Sequence, residues 1–221
     1  MGTMKMVLVF ASNNAHKLAE VRAIMPAGVK VLSLHEIGFE QEIDETGVTL
    51  EENSMIKART VADFISSQPS VFSSQIDGVF ADDTGLEIDA LGGEPGVYTA
   101  RWYLQDPGAK EAKTDLENFA RNRAKALREL KDKDNRGCQF RTVITLIKFS
   151  AISDQPSALQ VEGIVRGRMA TEEYGEGGFG YDPIFIPEGY DKTFGELPAE
   201  LKNTISHRAR ALAELVKVIH D

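Results

Sequence analysis

The sequence predicts a mixed α/β fold. Three observations carry that reading. Short apolar runs alternate with amphipathic stretches of helical period along the chain. The opening segment reads strand, polar loop, helix, strand. One later segment, Leu159 to Arg168, sets Leu159, Val161 and Val165 against Gln160, Glu162, Arg166 and Arg168, the period of two of a strand with one wet face.

Met6 to Ala11 is a short apolar run of buried-strand type. Ser12-Asn13-Asn14 supplies N-cap residues, and Leu18, Val21 and Met25 then mark an amphipathic helix that ends before Pro26. Val29 to Leu32 reads as a second strand. Beyond the acidic segment Glu42 to Gly47, a helix is expected from about Thr49, with Met55, Ala58, Ala62 and Ile65 on its buried face and Asn53 and Lys57 sharing another. Ser66 to Gly78 reads as a surface loop. Val79-Phe80-Ala81 reads as a short strand ending at Asp82-Asp83-Thr84-Gly85, and Leu91 to Gly96 as a tight loop. A charged amphipathic helix is expected from Ala112 to Leu130. Phe140 to Phe149 and Leu159 to Arg168 are expected to pair as an antiparallel hairpin around Asp154-Gln155-Pro156. A Gly-rich loop, Gly175 to Asp182, leads into a short strand at Ile184 to Ile186. The last helix carries Leu212, Leu215, Val216 and Ile219 on one face.

At 221 residues the chain is read as one domain, 1–221, with residues 1–3 set aside as a candidate expression remnant. Lys plus Arg number 25 against 34 Asp plus Glu, a net charge of −9 that argues against a nucleic-acid partner. The single Cys138 excludes an intrachain disulfide and an all-cysteine metal site. The run Met6 to Ala11 is too short for a membrane span or a signal-peptide core, so a soluble, cytoplasmic protein without a membrane partner is expected.

Four constellations could carry chemistry. Ser12-Asn13-Asn14-Ala15-His16-Lys17 lies between strand and helix, where helix amides and Lys17 suit a phosphate. The same residues also read as a helix cap with a solvated lysine. Asp82-Asp83-Thr84-Gly85 follows an apolar strand; adjacent carboxylates there suit Mg2+ or the activation of water, and equally a polar turn. Asp44-Glu45 adds a carboxylate that reads first as a solvated charge run. Gly175 to Gly180 matches G-x-G-x-x-G, but Tyr181-Asp182-Pro183 and a strand follow rather than a helix, which rejects the dinucleotide fingerprint. That loop reads better as one presenting Phe179 and Asp182, with Phe179 able to stack on a base or to serve as a minor core residue. Ser206-His207-Arg208 opens the last helix, with donors suited to oxo groups or phosphates, or simply a charged surface.

In this order the segments resemble the inosine/xanthosine triphosphate pyrophosphatase family. The matching residues are Ser12 to Lys17, Glu45-Thr46-Gly47 with Asn53 and Lys57-Ala58-Arg59, Ala81 to Leu86, Leu91 to Tyr98, Gly177 to Phe185, and Lys202 with Ile205 to Arg208. The resemblance implies an elongated, twisted mixed sheet with flanking helices, two lobes around a central cleft, and a homodimer. It implies Mg2+-dependent hydrolysis of ITP, dITP and XTP to the monophosphate and pyrophosphate. Ser12, Asn14, Lys17 and Lys57 then meet phosphate, Asn13, Ala15 and His16 contact substrate beside them, Lys57 also joins Asp82 and Asp83 in catalysis, and Glu45 with Asp83 holds the metal. Thr84, Phe179, Gly180, Tyr181, Asp182, Lys202, His207 and Arg208 contact substrate, the last seven of them on the base side. Asn13 and His16 depart from the glycines of the family pattern, and the Ser66 to Gly78 loop is longer. A pyrophosphatase for modified pyrimidine triphosphates and a nucleotide-sensing module without turnover are the competing readings.

Overall fold

Strand β1 (Met6–Phe10) opens the chain and lies parallel to both β2 (Val29–Leu32) and β3 (Gly78–Ile88). The computed structural model describes residues 6–68, 76–149 and 157–220. Helix α1 (Ala15–Ile24) connects β1 to β2, capped by Asn14 and ending at Met25, before Pro26. Its limits follow from local chemistry. The Asn14 side chain accepts the Lys17 amide, and Pro26 disfavours helical geometry at Met25.

Alternation along β1 and β3 sends side chains to two faces. Val9, Val79 and Ala81 cluster with Ala58, Val61, Ala62 and Ile65 of α2 (Leu50–Ser66). Leu8, Phe10 and Phe80 cluster with Val21 and Met25, and with Ala211, Leu212, Leu215 and Ile219 of α5 (His207–His220). Parallel strands are stable when both faces are covered in this way.

Beyond β3, β4 (Pro95–Gly96) pairs antiparallel to it, and β5 (Gly137–Lys148) and β6 (Ser157–Met169) extend the sheet to β7 (Phe185–Pro187), which is antiparallel to β6. The order is β2-β1-β3-β5-β6-β7. The sheet is therefore mixed and flanked by helices, the α/β class expected. β6 keeps its alternation: Gly163, Val165 and Met169 are buried while Gln160, Glu162, Arg166 and Arg168 are exposed. The expected turn at Asp154-Gln155-Pro156 lies outside the described residues, as do residues 1–3 and most of the Ser66 to Gly78 loop.

Two compact units divide the chain. The first, Met1–Asp83 with Thr142–Gly163 and Arg208–Asp221, holds the two clusters above. The second, Thr84–Arg141 with Ile164–His207, has its own core of Leu86, Trp102, Phe140, Phe185 and Phe194 together with Ala126 of α3 (Asp115–Glu129). It also contains α4 (Ala199–Ile205). Cys138 sits in this second core, where burial pushes its thiol up to about 12. The native protein should therefore resist thiol reagents at pH 8 and react fully once unfolded in urea. Rapid stoichiometric labelling of the native form would contradict that burial.

Four sequence expectations need correction. Met55 is only half-buried, and the buried face of α2 instead includes Asn53, Ser54 and Lys57. α3 begins at Asp115 rather than Ala112, because Thr114 caps it and the Glu117 carboxylate accepts the Lys113 amide. Asp182 stands in a single 3-10 turn, Asp182–Ile184, where Pro183 occupies an early position that needs no amide donor. β3 does not end at Ala81 but continues to Ile88, carrying Asp82 and Asp83 inside a strand.

Candidate active site

Asp82 and Asp83 lie inside a strand rather than a polar turn, and consecutive residues of a strand point to opposite faces. The sequence expectation is corrected here: each carboxylate meets cations from the helices on its own side. Asp82 Oδ1 accepts Lys17 Nζ of α1 at 2.9 Å, and Asp82 Oδ2 accepts Arg208 Nε of α5 at 2.9 Å. Arg208 also pairs with Glu20, one turn beyond Lys17 on α1. Asp83 Oδ1 accepts Lys57 Nζ of α2 at 2.8 Å, and the same ammonium donates to Glu45 Oε1 at 2.9 Å. Aspartate disfavours strand interiors, yet these ion pairs offset that preference and permit burial of both carboxylates.

The two aspartates differ in proton affinity. Burial alone would raise Asp82, but Lys17, Arg208 and Lys57 outweigh it and hold the carboxyl well below its usual range. Burial raises Asp83 above its ordinary value, and Glu45 adds to this, with Lys57 and Lys17 only partly opposing. Lys57 is penalised by burial, but Asp83, Glu45 and Asp82 keep it above its ordinary value. Burial lowers Lys17, as do the like charges of Lys57 and Arg208, against the pull of Asp82. The two ends of the Lys17–Asp82 pair thus shift in opposing senses. We take the pair as ionised, because Asp82 is shared by two cations. Asp82 is a fixed anion, and Asp83 is the carboxylate better able to take a proton.

At the start of α1, Ser12 Oγ accepts the Asn14 amide at 3.2 Å and Asn14 Oδ1 accepts the Lys17 amide at 3.0 Å. Asn13, Ala15 and His16 are exposed around this helix mouth. Its first-turn amides carry partial positive charge, which suits an anion.

The remaining site residues named from sequence, apart from Arg208, lie in the second unit. Thr84 is half-buried in β3. Asp182 is buried, and its Oδ2 accepts the Phe179 amide at 2.7 Å and Lys202 Nζ at 2.7 Å. The Lys202 ammonium lies 4.8 Å from the centre of the half-buried Phe179 ring, a cation–π distance. Arg123 of α3 donates to the Gly180 carbonyl at 2.9 Å, and Phe119, one turn earlier, flanks Phe179. Tyr181 belongs to the core; its hydroxyl donates to the Thr99 carbonyl at 3.0 Å, and burial holds its phenol above the ordinary value. His207 is buried with its ring stacked on Phe140, and Arg208 is 1% exposed, so neither projects from the helix as expected. Sequence reasoning missed Glu20 and Arg123. Glu20 had a weak signal, three residues after Lys17 on one helix face; Arg123 had none, because its partner is a distant carbonyl.

Fold and site together define an α/β protein with an open helix mouth and two lysine–carboxylate arrays around buried aspartates on opposite faces of one strand. The chain belongs to the Ham1 family, whose model matches residues 8–218. A Bacillus subtilis dITP/XTP pyrophosphatase is 44% identical over 214 residues, covering 96% of each chain. A Flavobacterium johnsoniae dITP/XTP pyrophosphatase is 41% identical over 97% of this chain and 98% of its own. Among solved structures, the Ham1 protein of Staphylococcus aureus is 35% identical with a TM-score of 0.74, covering 97% of this chain and 98% of its own. No helix among the described residues is long and apolar enough to cross a membrane.

Proposed function

We propose that this protein hydrolyses non-standard purine nucleoside triphosphates (ITP, dITP and XTP) to the monophosphate and pyrophosphate. The observation that carries the reading is Asp83: a buried carboxylate of raised proton affinity, held by Lys57 beside Glu45, in a chain whose relatives are named dITP/XTP pyrophosphatases. A sensing module needs no such base.

Ser12, Asn14, the helix mouth and Lys17 bind the triphosphate, with Asn13, Ala15 and His16 lining its approach. Asp83 takes the proton of the attacking water. Lys57 orients Asp83 and faces developing phosphate charge, and Asp82 holds Lys17 in place. Thr84 contacts substrate next to Asp83. Phe179, Gly180, Tyr181, Asp182, Lys202, His207 and Arg208 form the base-side set. The buried Tyr181 side chain limits that residue to its backbone, and Arg208 meets the base with a guanidinium that also bonds Asp82 and Glu20.

Mg2+ is the cofactor of this reading. Among the described residues no group of three or more His, Cys, Asp or Glu could hold a metal. Glu45 and Asp83, however, converge on one ammonium, and two hard carboxylates are what Mg2+ takes when phosphates and waters supply the rest. When bound, the ion neutralises phosphate charge and polarises the phosphoryl oxygens. A homodimer in the cytoplasm belongs to the same reading.

The test is pyrophosphate release from a panel of purine and pyrimidine triphosphates with Mg2+, with and without EDTA. Release is expected from ITP, dITP and XTP, lost in chelator and restored by Mg2+. Turnover of modified pyrimidine triphosphates alone, or binding without release, would replace the proposal.

A further inference from the structure

Asn53 is fully buried on α2, one turn before Lys57. Its Oδ1 accepts the Gly47 amide at 2.8 Å. Its Nδ2 is buried and has no hydrogen-bond partner among the described residues. Rotating the amide would pair the side chain no better, because Nδ2 would then face the Gly47 N–H, donor against donor. An amide that keeps one bond and leaves a buried donor unpaired costs stability, and such a group calls for an explanation.

Its place suggests one. Gly47 lies two residues after Glu45, and the Glu45 carboxylate meets Lys57. A Cβ on Gly47 would sit 2.7 Å from Asn53 Oδ1 and 2.7 Å from Glu52 Cβ, so the segment can approach α2 only without a side chain. Exposed neighbours tie it as well: the Glu52 carboxylate accepts the Val48 amide at 2.7 Å, and Thr49 caps the helix. Asn53 is the one buried anchor among these. A neutral acceptor also suits the position, since a carboxylate there would add to the negative charge of Asp83, Glu45 and Asp82 that already acts on Lys57.

We propose that Asn53 is a positioning residue, fastening Gly47 to α2 so that the Glu45 carboxylate stays on Lys57 beside Asp83. The role rests on the reading of Glu45 and Asp83 as the metal-holding pair. Partners behind metal ligands typically affect metal affinity or activity by about 10- to 100-fold.

The test compares the unaltered protein with Asn53→Ala, Gly47→Ala and the double variant. Mn2+ binding is followed by the EPR signal of the free ion, alongside Tm and kcat at saturating ITP. Each single variant should bind Mn2+ about 10- to 100-fold more weakly, and the double variant no more weakly than the worse single, because both remove one contact. Either folded single variant binding Mn2+ like the unaltered protein, or a double variant showing the product of the two losses, overturns the proposal. A structural role alone would lower Tm and leave Mn2+ affinity unchanged. If Asn53→Ala does not fold, Gly47→Ala decides alone. If the unaltered protein binds no Mn2+ and works in chelator, the metal reading fails separately. Asn53 is then judged on kcat, expected to fall about 10-fold in each single variant and no further in the double.

Discussion

Asp83→Asn should fold normally and lose kcat by about 10^2 or more, the usual worth of a general base. The side chain changes little in size, its carbonyl still accepts from Lys57, and Lys57 keeps Glu45 as a second partner. What disappears is the group whose proton affinity burial and Glu45 hold above the ordinary carboxylate. The measurement is steady-state pyrophosphate release with a parallel melting curve. Near-normal kcat in a folded variant would remove Asp83 from the chemistry.

Asp82→Asn is expected to do the reverse and show first in stability. Asp82 is 1% exposed and shared by Lys17 and Arg208. Removing one member of a buried ion-pair network leaves uncompensated charge and costs about 3–5 kcal/mol. Here the amide still accepts a hydrogen bond and Glu20 still faces Arg208, so about 3 kcal/mol is expected, or roughly 6–12 °C in Tm for a chain of this size. The pH dependence gives a second check. The folded carboxyl lies well below its ordinary value, so below about pH 4 the unfolded chain binds its proton more readily. The stabilisation is complete above that pH and drains away as pH falls toward the folded value. Between pH 5 and pH 3 the urea midpoint of the unaltered protein should fall more steeply than that of Asp82→Asn. Equal slopes would mean that Asp82 is not the depressed group.

Much of the fold was legible because it is written locally. Pro26 and the Asn14 cap bound α1, Thr49 opens α2, and Val29 to Leu32 is a strand at the limits read from its apolar run. The helix mouth at Ser12 to Lys17 was equally legible, since its geometry depends on residues within a few positions of one another. Local signals failed where distant partners decide. Asp82-Asp83-Thr84-Gly85 has turn composition, and it became strand interior because cations from three helices wait on its two faces. Arg208 looked like helix surface until its guanidinium met Asp82, 126 residues away. Asn53 read as part of a polar helix face, and the structure buries it and bonds it to the Gly47 amide.

By itself the sequence determined the α/β class and most of the strands and helices, because period, caps and turn residues act over a few positions; it read β4 as part of a tight loop and gave no sign of α4. Only the tertiary structure decided that the two aspartates serve opposite faces, with the proton affinity of Asp82 held below its ordinary value and that of Asp83 above it. Burial and the charges that compensate it depend on which helices pack against a strand, and no local window of sequence contains both partners.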